Sequence, residues 1–273
     1  MNTPSTADNI YGVWEESIGR LMSYRYLGCR SKLLSRATSH GTMPLRSDMR
    51  TSRGPLAAPL AIAMLDTAGI AVDRLYHAAV THIVVQIVDN AEGVERLRIN
   101  GAIVREGRSQ VLTEAIIVDQ ANPHRVIAIG TADWAVLNAT PSGFAYIDPG
   151  EGVADNGILP PLAQAYHAVE GADGGYRIDQ LVPEIGGAML HHGPILVALE
   201  AAALAAATRA SPAVPMVRSL EVRFVRPGIT APFSVASATA LMPSGSVRVW
   251  RSAMTDGEPV GREVARASIL TST

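Results

Sequence analysis

The sequence predicts an α+β chain of two similar halves, each an antiparallel sheet curled around a central alanine-rich helix. Three observations lead there. Two apolar segments of helix length, 54–69 and 188–203, read alike. Each holds one carboxylate well inside it, and superposing Asp66 on Glu200, an offset of 134 residues, also superposes Leu56 on Leu190. Each segment is followed by about four β-branched runs.

The helices come first. A helix that is hydrophobic nearly all round must be buried on most sides. A curled antiparallel sheet does this, and small side chains let it wrap closely. After the first helix the runs 80–88, 96–104, 110–118 and 125–137 read as strands. Glu106-Gly107-Arg108 and Asn122-Pro123-His124 read as hairpin turns. After the second helix come 219–225, 233–241, 246–254 and 262–271, the last three separated by Pro243-Ser-Gly-Ser and Asp256-Gly-Glu-Pro. An amphipathic helix is expected over 10–22 and a leading strand over 175–182. This layout gives an N-terminal extension (1–45), a first domain (46–140), a Gly- and Pro-containing linker (141–174) and a second domain (175–273).

Composition fits this frame. The 273 residues are 48% hydrophobic but only 5% aromatic, and alanine makes up about 15%, so the core is built from small aliphatic side chains. The net charge of −2 offers no basic excess for nucleic acid. Lys32 is the only lysine, which leaves Schiff-base chemistry without a candidate. One cysteine, Cys29, forbids an internal disulfide and a Cys-rich zinc site, and its neighbours offer no base to activate it. Adjacent histidines point to different sides, so no metal is expected at His191 and His192. The N-terminal residues lack a basic and apolar leader, and the apolar run 194–207 is too short to span a bilayer and contains Glu200. The expectation is a cytoplasmic protein with no membrane partner.

The segment Met189-Leu-His191-His-Gly193-Pro-Ile-Leu-Val-Ala-Leu-Glu200 resembles the helix start of hotdog-fold thioesterases of the phenylacetate-pathway type. These carry Leu-His-Gly-Gly before the helix and an Asp or Glu nine residues after that His. His191 and Glu200 keep the spacing and Gly193 keeps the second glycine, while His192 replaces the first. In the first half Asp66-Thr-Ala-Gly matches the acidic position, but Ala57-Ala58-Pro59 stands where His-Gly-Gly is found. The resemblance covers roughly 50–137 and 175–271 and implies a tandem, double-hotdog chain.

A thioesterase site makes physical sense there. Thioester hydrolysis develops negative charge on the carbonyl oxygen. A helix N-terminus offers unpaired N–H groups and a positive dipole end. Gly193 lets the acyl carbon approach, and Pro194 fits the first turn. A buried carboxylate with a raised pKa serves as general base on water, or attacks directly.

In the family the resemblance invokes, the glycine end comes from one hotdog and the acid from its partner's helix. That implies a composite site of His191, His192 and Gly193 with Asp66. The reciprocal site pairs Glu200 with Ala57, Ala58 and Pro59, and is weaker because Pro59 has no N–H. The resemblance also makes Thr67, Thr81, His82, Arg108 and Ser109 substrate-binding candidates. It implies an acyl-CoA or other acyl thioester as substrate, coenzyme A only as part of it, no other cofactor, and assembly as a homodimer or larger.

Plainer readings stand beside these. Asp66 could be a solvent-facing helix carboxylate, Glu200 an ion-pair partner of a sheet arginine, His191 a packing residue and His82 a satisfied strand histidine. Arg105, Arg226, Arg251 and Arg262 could meet coenzyme A phosphates or simply be solvated. An enoyl-CoA hydratase or dehydratase, or a non-catalytic acyl-binding chain, are the alternative functions.

Overall fold

The computed structural model describes residues 20–140, 152–211, 213–236, 239–244, 247–257 and 261–272. The helix expected over 10–22 falls almost entirely outside them. Two long helices dominate, α1 (Ala57–Asp73) and α2 (His192–Ala210). In α1 every residue from Ala57 to Val72 is buried. Such a helix has no solvent face, which is why its composition shows no polar stripe.

The strands of the first half are β1 (Arg30–Leu33), β2 (Thr38–Pro44), the short pair β3 (Arg50–Thr51) and β4 (Gly54–Pro55), then β5 (Tyr76–Ile87), β6 (Arg96–Glu106), β7 (Gln110–Asp119) and β8 (Val126–Ala139). The second half has β9 (Val169–Glu170), β10 (Tyr176–Ile178), β11 (Met216–Phe224), β12 (Phe233–Val235), β13 (Thr239–Ser244), β14 (Val247–Asp256) and β15 (Arg262–Ser272). Burial alternates along them: Leu97, Ile99 and Gly101 in β6, and Val111, Thr113, Ala115 and Ile117 in β7, turn inward while their neighbours turn out.

Two separate sheets were expected. Apart from β3 and β4, which pair only with each other, the described strands instead form one 13-stranded sheet, in the order β1-β2-β6-β7-β8-β5-β11-β15-β14-β12-β10-β9, with β13 also on β14. The halves join where β5 and β11 pair antiparallel, from His82–Arg223 to Gln86–Ser219. Each of these would otherwise be a bare sheet edge, and the pairing satisfies both rows of backbone groups. The order is the same on both sides of the seam: β5, β8, β7, β6, β2 one way and β11, β15, β14, β12, β10 the other.

Residues 30–44, placed in the N-terminal extension from sequence, form β1 and β2 and pair onto β6. The strand expected over 233–241 is interrupted into β12 and β13, which both run along β14. The leading strand expected over 175–182 is shorter, at Tyr176–Ile178. The apolar run 194–207 extends to a 19-residue helix that is long and apolar enough to cross a membrane by length and composition alone. Its packing on α1, β14 and β15 is that of a core helix.

Small residues set how closely α1 rests on the sheet. A Cβ on Gly101 would lie 3.0 Å from the Ala68 Cα and 2.8 Å from the Ser39 hydroxyl. Gly101→Ala is therefore expected to push α1 off β6 and cost about 1–3 kcal/mol by overpacking. Urea unfolding of the purified variant measures this; an unchanged midpoint would mean the helix has room that the geometry denies.

Candidate functional site

Both long helices start without a side-chain cap of their own. The four leading N–H groups of a helix need acceptors from elsewhere, especially in a dry core. For α1 the acceptor comes from α2. Glu200, only 2% exposed, takes the N–H of Ala57 on Oε1 at 2.6 Å and that of Ala58 on Oε2 at 2.7 Å. Burial pushes its carboxyl up to about 7, with the two N–H donors pulling the other way.

The start of α2 is met differently. A Cβ at Gly186, where φ is +140°, would sit 2.0 Å from the Met189 carbonyl, so the loop before the helix depends on a glycine there. That loop brings the Ile185 carbonyl to the N–H of His191 at 2.9 Å. The N–H groups of His192 and Gly193 have no acceptor among the described residues outside their own helix. Asp66, the α1 counterpart of Glu200, is 5% exposed and stands beside this helix start. Its Oδ1 lies 3.2 Å from His192 Nε2, while Oδ2 is buried with no partner.

The contacts Ala57–Glu200, Ile62–Gly193 and Asp66–His192 run in opposite directions along the two helices, which therefore pack antiparallel. Burial pushes the Asp66 carboxyl up to about 7, with the nearby His191 lowering it. The His191 and His192 rings lie together, 3.8 Å between centroids and tilted by 40°. Burial pushes both imidazoles down to about 3, so both are neutral at physiological pH. A neutral His192 donates from Nε2 to an ionised Asp66, or accepts from a protonated one. Asp66 is thus a carboxyl that changes state near neutrality beside unpaired backbone donors.

One residue of this cluster was not among the sequence candidates. Tyr166 is fully buried, with its ring carbon Cε1 3.2 Å from where a Gly193 Cβ would be and its hydroxyl unpartnered. Its ring meets Tyr26 edge-on at 6.3 Å. Nothing in the 141–174 connection singled it out, since only the tertiary fold brings it to α2. Cys29 is also near, in contact with Ser31 and Thr67, and burial followed by the Asp66 charge pushes its thiol up to about 12. That thiol is inert. Thr67 is fully buried and bonds Ser31 at 3.0 Å, on the side of α1 that faces β1.

The structure does not bring the other candidates here. The Thr81 hydroxyl donates to the Asp133 carbonyl, and His82 bridges the carboxylates of Asp133 and Glu221 at 3.2 and 3.0 Å across the β5–β11 seam. Arg108 and Ser109 are exposed at the β6–β7 hairpin. A groove of about 620 Å³ lies instead between residues 28–30, 44–50, 93–96 and 152–155. Two of its arginines are committed: Arg46 to Asp48 and the carbonyls of Tyr26 and Leu27, and Arg50 to the carbonyls of Leu45, Ala91 and Val94. Among the described residues no group of three or more His, Cys, Asp or Glu could hold a metal.

No family model matches the sequence, and no curated protein does. Solved structures do match. A conserved protein with a hot dog fold from Alicyclobacillus acidocaldarius superposes with a TM-score of 0.61 at 14% identity, over 92% of this chain and 97% of that one. The tesB protein of Mycobacterium avium subs paratuberculosis gives 0.58 at 12%, over 89% and 94%. An acyl-CoA thioesterase II from Mycobacterium marinum gives 0.55 at 14%, over 89% and 95%. The chain has the hotdog fold, and structures named as thioesterases share it.

Two outcomes follow from the carboxylates. Glu200→Gln leaves one α1 N–H facing an amide NH2 and is expected to cost about 1–3 kcal/mol, read by denaturant unfolding. Asp66 and Glu200 both titrate near 7 when folded, against ordinary values of 3.8 and 4.5. The folded state therefore holds protons that the unfolded chain has released, and their contribution to stability is full below about 4 and lost as pH rises through about 7. His191 and His192, held down to about 3 when folded, act with the opposite sign over the same range, so the Asp66 share is read from unfolding as a difference: the stability advantage of wild type over Asp66→Asn should be larger at pH 5 than at pH 8.

Proposed function

We propose that the chain hydrolyses acyl thioesters, with acyl-CoA as the substrate class. The observation that carries the reading is the unpartnered Asp66 oxygen beside the uncapped start of α2 at Gly193. The names of the structural neighbours support it from outside.

In this reading the thioester carbonyl oxygen lies against the Gly193 N–H. Ionised Asp66 takes a proton from a water molecule, whose oxygen attacks the carbonyl carbon. The resulting oxyanion is held by the N–H and the positive end of α2, an electrostatic contribution on the order of 3 kcal/mol. Collapse breaks the C–S bond, the thiolate leaves with the proton returned by Asp66, and a carboxylic acid remains. His192 positions the Asp66 carboxylate through Oδ1 and leaves Oδ2 for the water. Water is the only co-reactant. Glu200 holds α1 in place and stands outside the chemistry, because both its oxygens are occupied by Ala57 and Ala58.

The working unit is the pair of hotdog halves, the first extended by β1 and β2 and the second by β9, since Asp66 and Gly193 come from different ones. Two identical sites in one chain are not expected, because Pro59 occupies the position of Gly193 and brings no N–H.

The test is release of free thiol from acyl-CoAs of short, medium and long chain. Asp66→Asn should lower kcat on the order of 100-fold or more. The rate of the wild type should rise with pH and level off above a midpoint near 7, where Asp66 loses its proton. No release across the panel, or full activity in Asp66→Asn, would sink the proposal. Hydration of crotonyl-CoA without thiol release would point to the hydratase chemistry instead.

A further inference from the structure

The Tyr166 hydroxyl is fully buried and bonds nothing, although a buried hydroxyl ordinarily finds a partner. Asp66 Oδ2 and the hydroxyl of the neighbouring Tyr26 are likewise buried without a partner. The ring carbon Cε1 adjoins the carbon that bears the hydroxyl, and it lies 3.2 Å from the Gly193 Cβ direction. The hydroxyl is therefore held near the first turn of α2, whose His192 and Gly193 N–H groups have no acceptor among the described residues outside their own helix. Ile62 Cδ1 lies on the same spot, 3.7 Å from that Cβ position, and makes the surroundings of Gly193 apolar. Edge contact with Tyr26, itself covered by the Arg46 guanidinium at 4.7 Å, fixes the ring plane.

We propose that Tyr166 is a catalytic residue of this site, its hydroxyl donating to the thioester carbonyl oxygen beside the Gly193 N–H. The inference rests on the thioesterase reading and adds the second donor that reading lacks. Two donors converging on one oxygen satisfy both of its lone pairs as charge develops. Burial, reinforced by the Asp66 charge, keeps the phenol well above its ordinary pKa, so it stays protonated and able to donate wherever Asp66 is ionised. Ile62 and the two tyrosine rings keep bulk water from competing for that oxygen.

Tyr166→Phe in the full chain is the test, because it keeps the ring contacts with Gly193 and Tyr26 and removes one oxygen. The expected result is a kcat lower by on the order of 100-fold, with KM within about threefold, the pH midpoint unmoved and the melting temperature no lower than that of wild type. A kcat within about twofold of wild type overturns the inference and leaves the thioesterase reading intact. So does a loss of activity that comes with a lower melting temperature, since that marks a packing role.

A binding pair reads the same contact without turnover. An acyl-CoA ketone analogue, with a methylene in place of sulfur, keeps the carbonyl, and an alkyl-CoA thioether lacks it. Tyr166→Phe should weaken the ketone by roughly tenfold and leave the thioether unchanged. If the wild type hydrolyses nothing, the thioesterase reading falls and this pair still decides the carbonyl contact. Equal effects on both analogues, or no binding of either by wild type, overturn it.

Discussion

Everything in this fold is arranged around two helix starts that have no caps of their own. A buried helix that begins without a local acceptor leaves backbone donors stranded in a dry core. The chain meets this by crossing its halves. The Glu200 carboxylate of α2 seats itself on the Ala57 and Ala58 N–H groups of α1, and that bond fixes the antiparallel pairing of the helices. Once the helices are paired this way, Asp66 must face the start of α2. The two halves cannot be separated without exposing two carboxylates and two helix ends, and the β5–β11 seam closes them on the outer side.

The two crossings are alike in position and unlike in outcome. Glu200 is one methylene longer than Asp66 and reaches both donors. Asp66 does not reach: the Ile185 carbonyl has taken the His191 N–H, and the His192 ring has taken one of its oxygens. A pair of identical subunits could not make this division, because each change would appear at both sites. A tandem chain can let one carboxylate become a structural cap while the other keeps an open valence beside a glycine. Pro59 against Gly193 is the same division written in the backbone, since only the second supplies an N–H.

How much of this was legible in the sequence depended on whether the signal was local. A charge inside an otherwise apolar helix is rare enough to see, so Asp66 and Glu200 stood out and their common offset linked the halves. The β-branched runs of β6 and β7 were clear because inward and outward residues alternate. By contrast β2 is written mostly in Ser, Thr, Gly and His, whose burial alternates while their hydropathy does not, and β1 is the short Arg-Ser-Lys-Leu. The seam between β5 and β11 joins strands some 140 residues apart in register, and nothing in either strand names its partner. Thr81 and His82 illustrate the same limit: their side chains contact Asp133 and Glu221, which only the sheet order brings near. Tyr166 was invisible for that reason, one of two tyrosines in a connection whose meaning depends on where the connection folds back.

The low aromatic content takes on a sharper sense once the core is seen. Helix α1 can lie on the sheet because Gly41, Gly101 and Gly130 leave room for Thr67, Ala68 and Met64. A core built at this spacing has few places for a ring, so the rings it does admit occupy particular positions. Trp134 and Trp250 each bury an indole and hand its N–H to a threonine on the next strand, Thr113 and Thr271. They are fully satisfied packing residues. Tyr166 is buried as deeply, carries a polar atom as well, and has been given no partner for it. Phenylalanine would fill the same space without an unpaired hydroxyl, so packing alone favours phenylalanine there. A tyrosine at that position, beside a carboxylate with its own free oxygen and a helix start with free N–H groups, is accounted for by a polar ligand that arrives between them.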